Sequence, residues 1–287
     1  MTRPGRALVV VALLGPLPGI VSAQGNVCRP GKASNEARTM AFFDVPLAFA
    51  AAAAPARAPA GRVQFGLELS YLPDIDPAIA IPTICRPDKT APENTDLLFA
   101  FPRPRVGVTL PAGFAFEASW VPPLRMADVE ANLLGVALSH TQRLGGAGRM
   151  LLELRAHGSF GTIEAPITCD DTALQDAGSP CYQGTRSNDS FKPNVMGVSG
   201  ALGWTLGRTL SPYLGAGYNR LAPRFQVNFT NRFGAVDRQR VVVDLDRAVL
   251  FAGASWRPRP VLTLTGEVYS APADAVTARV VARFQLR

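Results

Sequence analysis

From Val63 to Tyr71 the chain alternates without a break: every odd position is apolar and every even position is polar or glycine. A period of two makes a strand with two unlike faces. The same pattern closes the sequence. There Val276, Ala278, Val280, Ala282, Phe284 and Leu286 form one face, and Thr277, Arg279, Arg283, Gln285 and Arg287 supply most of the other. Eight further stretches read as strands, about 96-110, 113-121, 129-144, 149-163, 194-206, 210-229, 239-256 and 260-270, which makes ten. Most reach the nine to eleven or so residues that cross a bilayer at a tilt, whereas soluble strands average about five or six. No stretch after the first residues carries the long uncharged apolar run of a membrane helix, so a membrane-spanning form of this chain must span as strands.

The connections carry independent information. Pro111-Ala112-Gly113, Gly145-Gly146-Ala147-Gly148, Gly207-Arg208-Thr209 and Arg257-Pro258-Arg259-Pro260 are short turns after strands two, four, six and eight. Long or polar loops, about 73-95, 164-193 and 230-238, follow strands one, five and seven, with shorter ones near 122-128 and 271-275. Short and long connections therefore alternate, and an even strand count brings the start of strand one and the C-terminus to the same end. The 26 glycines and 25 prolines suit such turns and exclude a coiled coil. With 47% hydrophobic residues the chain is not disordered. Its net charge of +7 comes from basic residues scattered singly, so no polybasic stripe is offered to nucleic acid.

The first 23 residues read as an export signal: Arg3 and Arg6, an apolar run from Ala7 to Leu14, then the small residues Val21-Ser22-Ala23, with cleavage expected before Gln24. Glycines and prolines at 15, 16, 18 and 19 break the run before it could span a bilayer. Export, alternating strands to the end of the chain and Phe284 near the C-terminus together resemble the outer-membrane β-barrel superfamily of Gram-negative bacteria over roughly 61-287, although the last residue is Arg287 where many such proteins end in an aromatic. The resemblance implies an all-β fold, an antiparallel transmembrane up-and-down β-barrel. It also implies outer-membrane lipid and the outer-membrane assembly machinery as partners. The expected organisation is a signal peptide at 1-23, an N-terminal segment at 24-60 and the barrel at 61-287.

Assigning the apolar parity to lipid puts Phe65, Leu67, Leu69 and Tyr71 outside, with Phe114, Phe116, Met196, Val198, Leu262, Leu264 and Val268. Trp120, Trp204, Trp256, Tyr71 and Tyr213 fall near strand ends, where an interfacial girdle needs amphipathic rings. The opposite parity collects Glu68, Glu117, Glu153 and Glu267 with Arg105, Arg155, Arg279 and Arg283. Inside a barrel these groups can pair: Arg105 with Glu117 on neighbouring strands, and Arg279 or Arg283 with Glu68 across the closing seam. Such pairs obstruct a narrow lumen and disfavour a wide general porin. Other inward positions are small, among them Gly135, Ala137, Ser139, Gly197, Ala201, Gly203, Gly215 and Gly217. They relieve curvature or leave room for something against the wall.

All four cysteines follow the export signal, which fits an oxidising compartment. Cys169 and Cys181 bracket a polar stretch and make the natural local pair of the three possible connectivities, leaving Cys28 for Cys85. Residues 34-54 begin with a helix cap at Ser34 and have high helix propensity after Pro46, through the alanine run from Ala50. If Cys28 bonds Cys85 in the first long loop, this segment must run through the lumen as a plug. Otherwise it stays in the periplasm or at the barrel mouth.

Two enzyme families invite comparison. Omptin-type proteases are ten-stranded barrels with acidic rim pairs and an Asp-His arrangement. Asp170-Asp171 with His157 is a poor match, with Asp244 and Asp246 the remote candidates. His157 and Ser159 resemble the His-x-Ser of outer-membrane lipid A deacylases, but their parity turns them inward and Phe160 stands where Asn usually follows. No Walker loop, dinucleotide fingerprint or His-Glu-x-x-His occurs, and the cysteine and histidine spacings suit no metal. The expectation is a non-enzymatic barrel without a cofactor that passes or binds a small solute, or serves a structural or surface role. An outer-membrane hydrolase is the alternative.

Overall fold

The computed structural model describes residues 26–95, 98–126, 128–145, 149–207 and 209–286. The expected signal peptide lies outside them. Ten antiparallel strands close on themselves: β1 Val63–Tyr71, β2 Ala100–Thr109, β3 Phe114–Met126, β4 Val129–Leu144, β5 Met150–Ala165, β6 Val195–Trp204, β7 Leu210–Leu221, β8 Leu245–Arg259, β9 Leu262–Ala271 and β10 Ala275–Gln285. Each strand pairs with its chain neighbour, and β10 returns to β1 in a register that sets Arg279 against Ser70 and Arg283 against Gly66. The barrel therefore has no free edge along its wall.

The polarity of the wall is the reverse of a soluble protein's. On β1, Phe65, Leu67 and Leu69 are 49%, 51% and 48% exposed, while Glu68 and Ser70 between them are 1% exposed. Trp120, Leu134, Leu154, Met196, Val198, Leu250, Val268, Val280 and Phe284 continue the outward apolar surface around the ring. An apolar belt running round the whole ring is what the acyl chains of a bilayer cover on the outside of a transmembrane barrel. Tyr213 corrects the expected girdle. It is buried and points inward, as its shared parity with Gly215 and Gly217 requires.

Short turns join β2 to β3, β4 to β5, β6 to β7 and β8 to β9 at one end, the turn end. The long excursions 72–99, 166–194 and 222–244 all stand at the other, the loop end. The third is longer than the sequence suggests, because β7 stops at Leu221 and β8 starts at Leu245. Past Ala222-Pro223 the pairing changes partner: Arg224–Gln226 leaves the wall and pairs with Asp189–Lys192 and with Arg240–Val242. Together with Val27–Cys28, these pieces extend the edge of β5 at Ile163–Ala165 into a cap over one side of the mouth. The Cys169–Cys181 disulfide packs beneath the cap on Val227 and Phe229.

The Cys28–Cys85 disulfide fixes the start of the described chain to the first long loop. From there helix α1, Asn35–Leu47, enters the lumen. Ser34 caps it by accepting from the Ala37 N–H at 3.2 Å. The residues beyond it continue without regular secondary structure to the turn end, where the Gly61 N–H donates to the Thr109 carbonyl. Here the structure departs from the sequence expectation: the helix runs up to and through Pro46, ending at Leu47, and the alanine run beyond is not helical. The carbonyls that would bind helical N–H groups are taken by the wall instead.

Candidate functional site

The geometry of the lumen is set by parity. Inward positions of β2 carry Arg103 and Arg105, β5 carries Arg155, and β10 carries Arg279 and Arg283, with their side chains converging on residues 45 to 51. Seven consecutive carbonyls accept hydrogen bonds from these arginines. Arg279 donates to Val45 at 3.1 Å and Pro46 at 3.4 Å, and Arg103 to Leu47 at 2.8 Å and Ala48 at 3.5 Å. Arg155 donates to Phe49 at 3.4 Å, Arg105 to Ala50 at 2.8 Å and Arg283 to Ala51 at 2.7 Å. Ser159 adds a bond to Leu47 O at 2.8 Å, and the Ala54 N–H donates to Ser255 Oγ at 2.9 Å.

Buried guanidinium groups need anions as well as carbonyls. Glu117 binds three of them: Arg105 Nε at 2.8 Å, Arg155 at 2.8 Å and Arg283 at 3.2 Å. Glu68 pairs with Arg105 and lies 3.9 Å from Arg103, with Ser70 donating to it at 2.8 Å. Glu267 lies 3.6 Å from Arg279 and accepts from Tyr213 at 2.9 Å. The expected seam pair is therefore replaced: neither β10 arginine bonds Glu68, because Arg103 and Arg105 already occupy it. Glu153 stands apart from the ion pairs. It accepts from Thr141 at 3.4 Å and faces a polar chamber of about 410 Å³ at the turn end.

Phe49 sits at the centre, fully buried, with the guanidinium of Arg105 4.3 Å from its ring centroid and those of Arg155 and Arg103 at 5.2 and 5.6 Å. Cation–π attraction adds to the carbonyl bonds at such distances. Two wall glycines make room for the inner chain. A Cβ on Gly135 would lie 2.9 Å from the Phe49 ring, and one on Gly203 would lie 2.8 Å from Pro55.

At the loop end Glu36 grips the first long loop. Its Oε1 accepts from the N–H groups of Thr83, Ile84 and Cys85 at 2.9, 2.6 and 2.8 Å. Burial pushes this carboxyl up, but the N–H groups of Cys85, Ile84 and Thr83 pull harder the other way and hold it below the usual carboxylate range. Asn35 bonds the carbonyls of Ala78 and Ile81, closing the short helix α2, Pro77–Ala80.

Of the residues in the enzyme readings, only Ser159 bonds the inner chain, through Leu47 O. His157 is buried in the wall, and neither ring nitrogen has a hydrogen-bond partner among the described residues. Asp170 caps the Ala173 N–H at 2.8 Å, and Asp171 is 3.7 Å from Arg186. Asp244 pairs with Arg224 at 3.0 Å, and Asp246 lies 3.7 Å from Lys32. Sequence reasoning missed Arg103, Phe49, Tyr213 and Glu36. Arg103 shares the inward parity of Arg105 and was legible on that ground, whereas nothing local marks Phe49 or Glu36.

No protein-family model matches the sequence, and no curated protein does either. Among solved structures, the chain is similar to the attachment invasion locus protein Ail of Yersinia pestis at 9% identity and a TM-score of 0.28, over 79% of this chain and all of that one. It is also similar to the KdgM porin, at 8% identity and a TM-score of 0.32, over 78% of this chain and 99% of that one. The siderophore receptor PiuA from Acinetobacter baumannii matches at 12% identity and a TM-score of 0.33, over 79% of this chain and 31% of the receptor. These likenesses bear on no ligand or activity.

Proposed function

We propose that this is an exported barrel of a Gram-negative outer membrane that closes its lumen with its own N-terminal segment. It acts as a small-solute binding and passage protein, not as an enzyme. The turn end would face the periplasm and the capped loop end the exterior, the usual asymmetry of such barrels. One observation carries the reading: seven consecutive carbonyls of the inner chain are bonded to arginines on three wall strands. A chain held this way across the barrel leaves no open water column, and passage requires it to shift.

The test is conductance in a planar bilayer. The full-length protein is expected to conduct little, and deletion of residues 24–60 is expected to open a steady pore in a barrel that still changes gel mobility on boiling. Equal conductance from both proteins would overturn the proposal.

A further inference from the structure

The polar chamber that Glu153 faces adjoins the arginine cluster on the side of the turn end. Its volume of about 410 Å³ falls within the range of about 300–1,000 Å³ of pockets that hold one small molecule. Arg57, Arg62 and Arg257 stand exposed at its rim, and the barrel wall separates it from the bilayer. Whatever enters it therefore comes from solution, through the turn end.

Its charges do not balance. The lining holds five arginines, Arg57, Arg62, Arg155, Arg257 and Arg283, against two carboxylates, Glu117 and Glu153. Glu117 is committed to Arg155, Arg283 and Arg105, and Glu153 accepts from Thr141. Among the described residues, Arg57, Arg62 and Arg257 make no ion pair and no side-chain hydrogen bond, so the lining carries an excess of three positive charges.

The three rim arginines are held on this space by their backbones. Arg62 continues the inward parity of Gln64 and Glu68, and its carbonyl accepts from the Thr109 N–H at 2.9 Å. Arg257 is two residues beyond Ser255, whose Oγ accepts from the inner chain at Ala54, and its own N–H donates to Thr209 O at 2.8 Å. Arg57 belongs to the inner chain, pinned on one side at Ala54 and on the other at Gly61. Its guanidinium lies against the turn between β2 and β3. A Cβ on Gly113, itself part of the lining, would be 3.3 Å from Arg57 Nη2.

A cleft lined by one sign of charge concentrates solutes of the other, and the guanidinium fork matches an oxyanion. A single negative charge would leave two of the three in excess, whereas a phosphate dianion leaves one. The remaining lining calls for hydroxyl groups. Thr205, Ser211 and Thr263 make no side-chain hydrogen bond among the described residues, and each can donate and accept, while the Glu153 carboxylate accepts. We infer that the chamber binds a phosphorylated, sugar-sized solute, with the phosphate among the rim arginines and the hydroxyl groups on Glu153 and the Ser/Thr side chains.

The inference names a solute class for the binding role proposed above and rests on that reading, yet the two fail separately. Absence of binding in a barrel that deletion of residues 24–60 opens would sink only the inference. Binding in a barrel whose conductance that deletion leaves unchanged would sink only the closed-lumen proposal.

The experiment is isothermal titration calorimetry of the full-length protein folded in detergent, with glucose 6-phosphate, glucose and inorganic phosphate as probes. Saturable binding of glucose 6-phosphate is expected, about tenfold or more tighter than either of the others, a difference that one or two charge-assisted hydrogen bonds supply. The double variant Arg57→Gln/Arg257→Gln should weaken it about tenfold or more. Lys192→Gln/Arg232→Gln, which removes the same charge at the loop end, should leave it unchanged. Equal affinity of the wild-type protein for glucose 6-phosphate and either other probe would overturn the inference without recourse to any variant. So would binding that never saturates, or equal weakening by the two double variants, which would reduce the effect to long-range attraction by net charge.

Discussion

Arg283, on the last strand, donates through Nη2 both to the carbonyl of Ala51 at 2.7 Å and to Glu117 at 3.2 Å, joining the inner chain to the wall through a single guanidinium. Glu117 in turn serves Arg105 and Arg155. The carboxylate is thus the shared counter-ion of three cations, while Arg283 is one cation among three.

This asymmetry predicts unequal costs. Glu117→Gln leaves Arg155 and Arg283 without a paired carboxylate and Arg105 with Glu68 alone, and should cost about 3–5 kcal/mol. Arg283→Met leaves Glu117 with two partners and should cost markedly less. Denaturant titration of the folded protein in detergent, read by tryptophan fluorescence, measures both. Equal losses would show that Glu117 is not the hub.

Gly135 and Phe49 should be coupled. Gly135→Ala places a methyl 2.6 Å from Ser119 Oγ, which its side chain can rotate away from, and 2.9 Å from the Phe49 ring, and overpacking of this kind costs about 1–3 kcal/mol. Phe49→Leu opens that space. The double variant should therefore be more stable than the sum of the single losses, by about 0.5–3 kcal/mol. A strictly additive cycle would mean that the ring does not lie against this part of the wall.

Glu36 makes the outer clasp sensitive to acid. Its carboxyl is held below the ordinary value of 4.5, so the stabilisation it contributes is fully present above that value and is lost as pH falls through the depressed one. Hydrogen exchange at the amides of Thr83, Ile84 and Cys85 should stay slow at neutral pH and at pH 5, and quicken only on further acidification relative to their intrinsic rates. Glu36→Gln should show the faster relative exchange already at neutral pH. Fast exchange in the wild-type protein at pH 6 would contradict this.

The disulfides should differ in weight. Cys28–Cys85 closes a separation of 57 residues and Cys169–Cys181 one of 12. Chain-entropy arguments then give about 4 kcal/mol for the first and about 3 kcal/mol for the second. Replacing Cys28 and Cys85 by serine should also make α1 the first site of proteolysis, whereas the Cys169 and Cys181 pair of replacements should expose the cap. Limited proteolysis followed by mass spectrometry distinguishes the two.

What sequence alone reveals here follows the range of the forces involved. The wall is a short-range pattern, because a strand that meets lipid on one side and polar groups on the other must alternate, and Val63–Tyr71 does so residue by residue. The lumen charges follow from the same parity. The conformation of residues 48 to 54 does not, since alanines favour helix, whereas here the carbonyls are bound by arginines more than fifty residues away in the chain. The cap was hidden for a related reason. Its strands have two to four residues each and are held by neighbours distant in the chain, leaving no period to detect.

Arg279 and Arg283 stand on β10, the strand that completes the ring against β1. Their bonds to residues 45, 46 and 51 cannot form until that strand arrives. A strand more than two hundred residues further along the chain is therefore the latch for the inner segment, so that sealing the cylinder and gripping its contents depend on the same arrival.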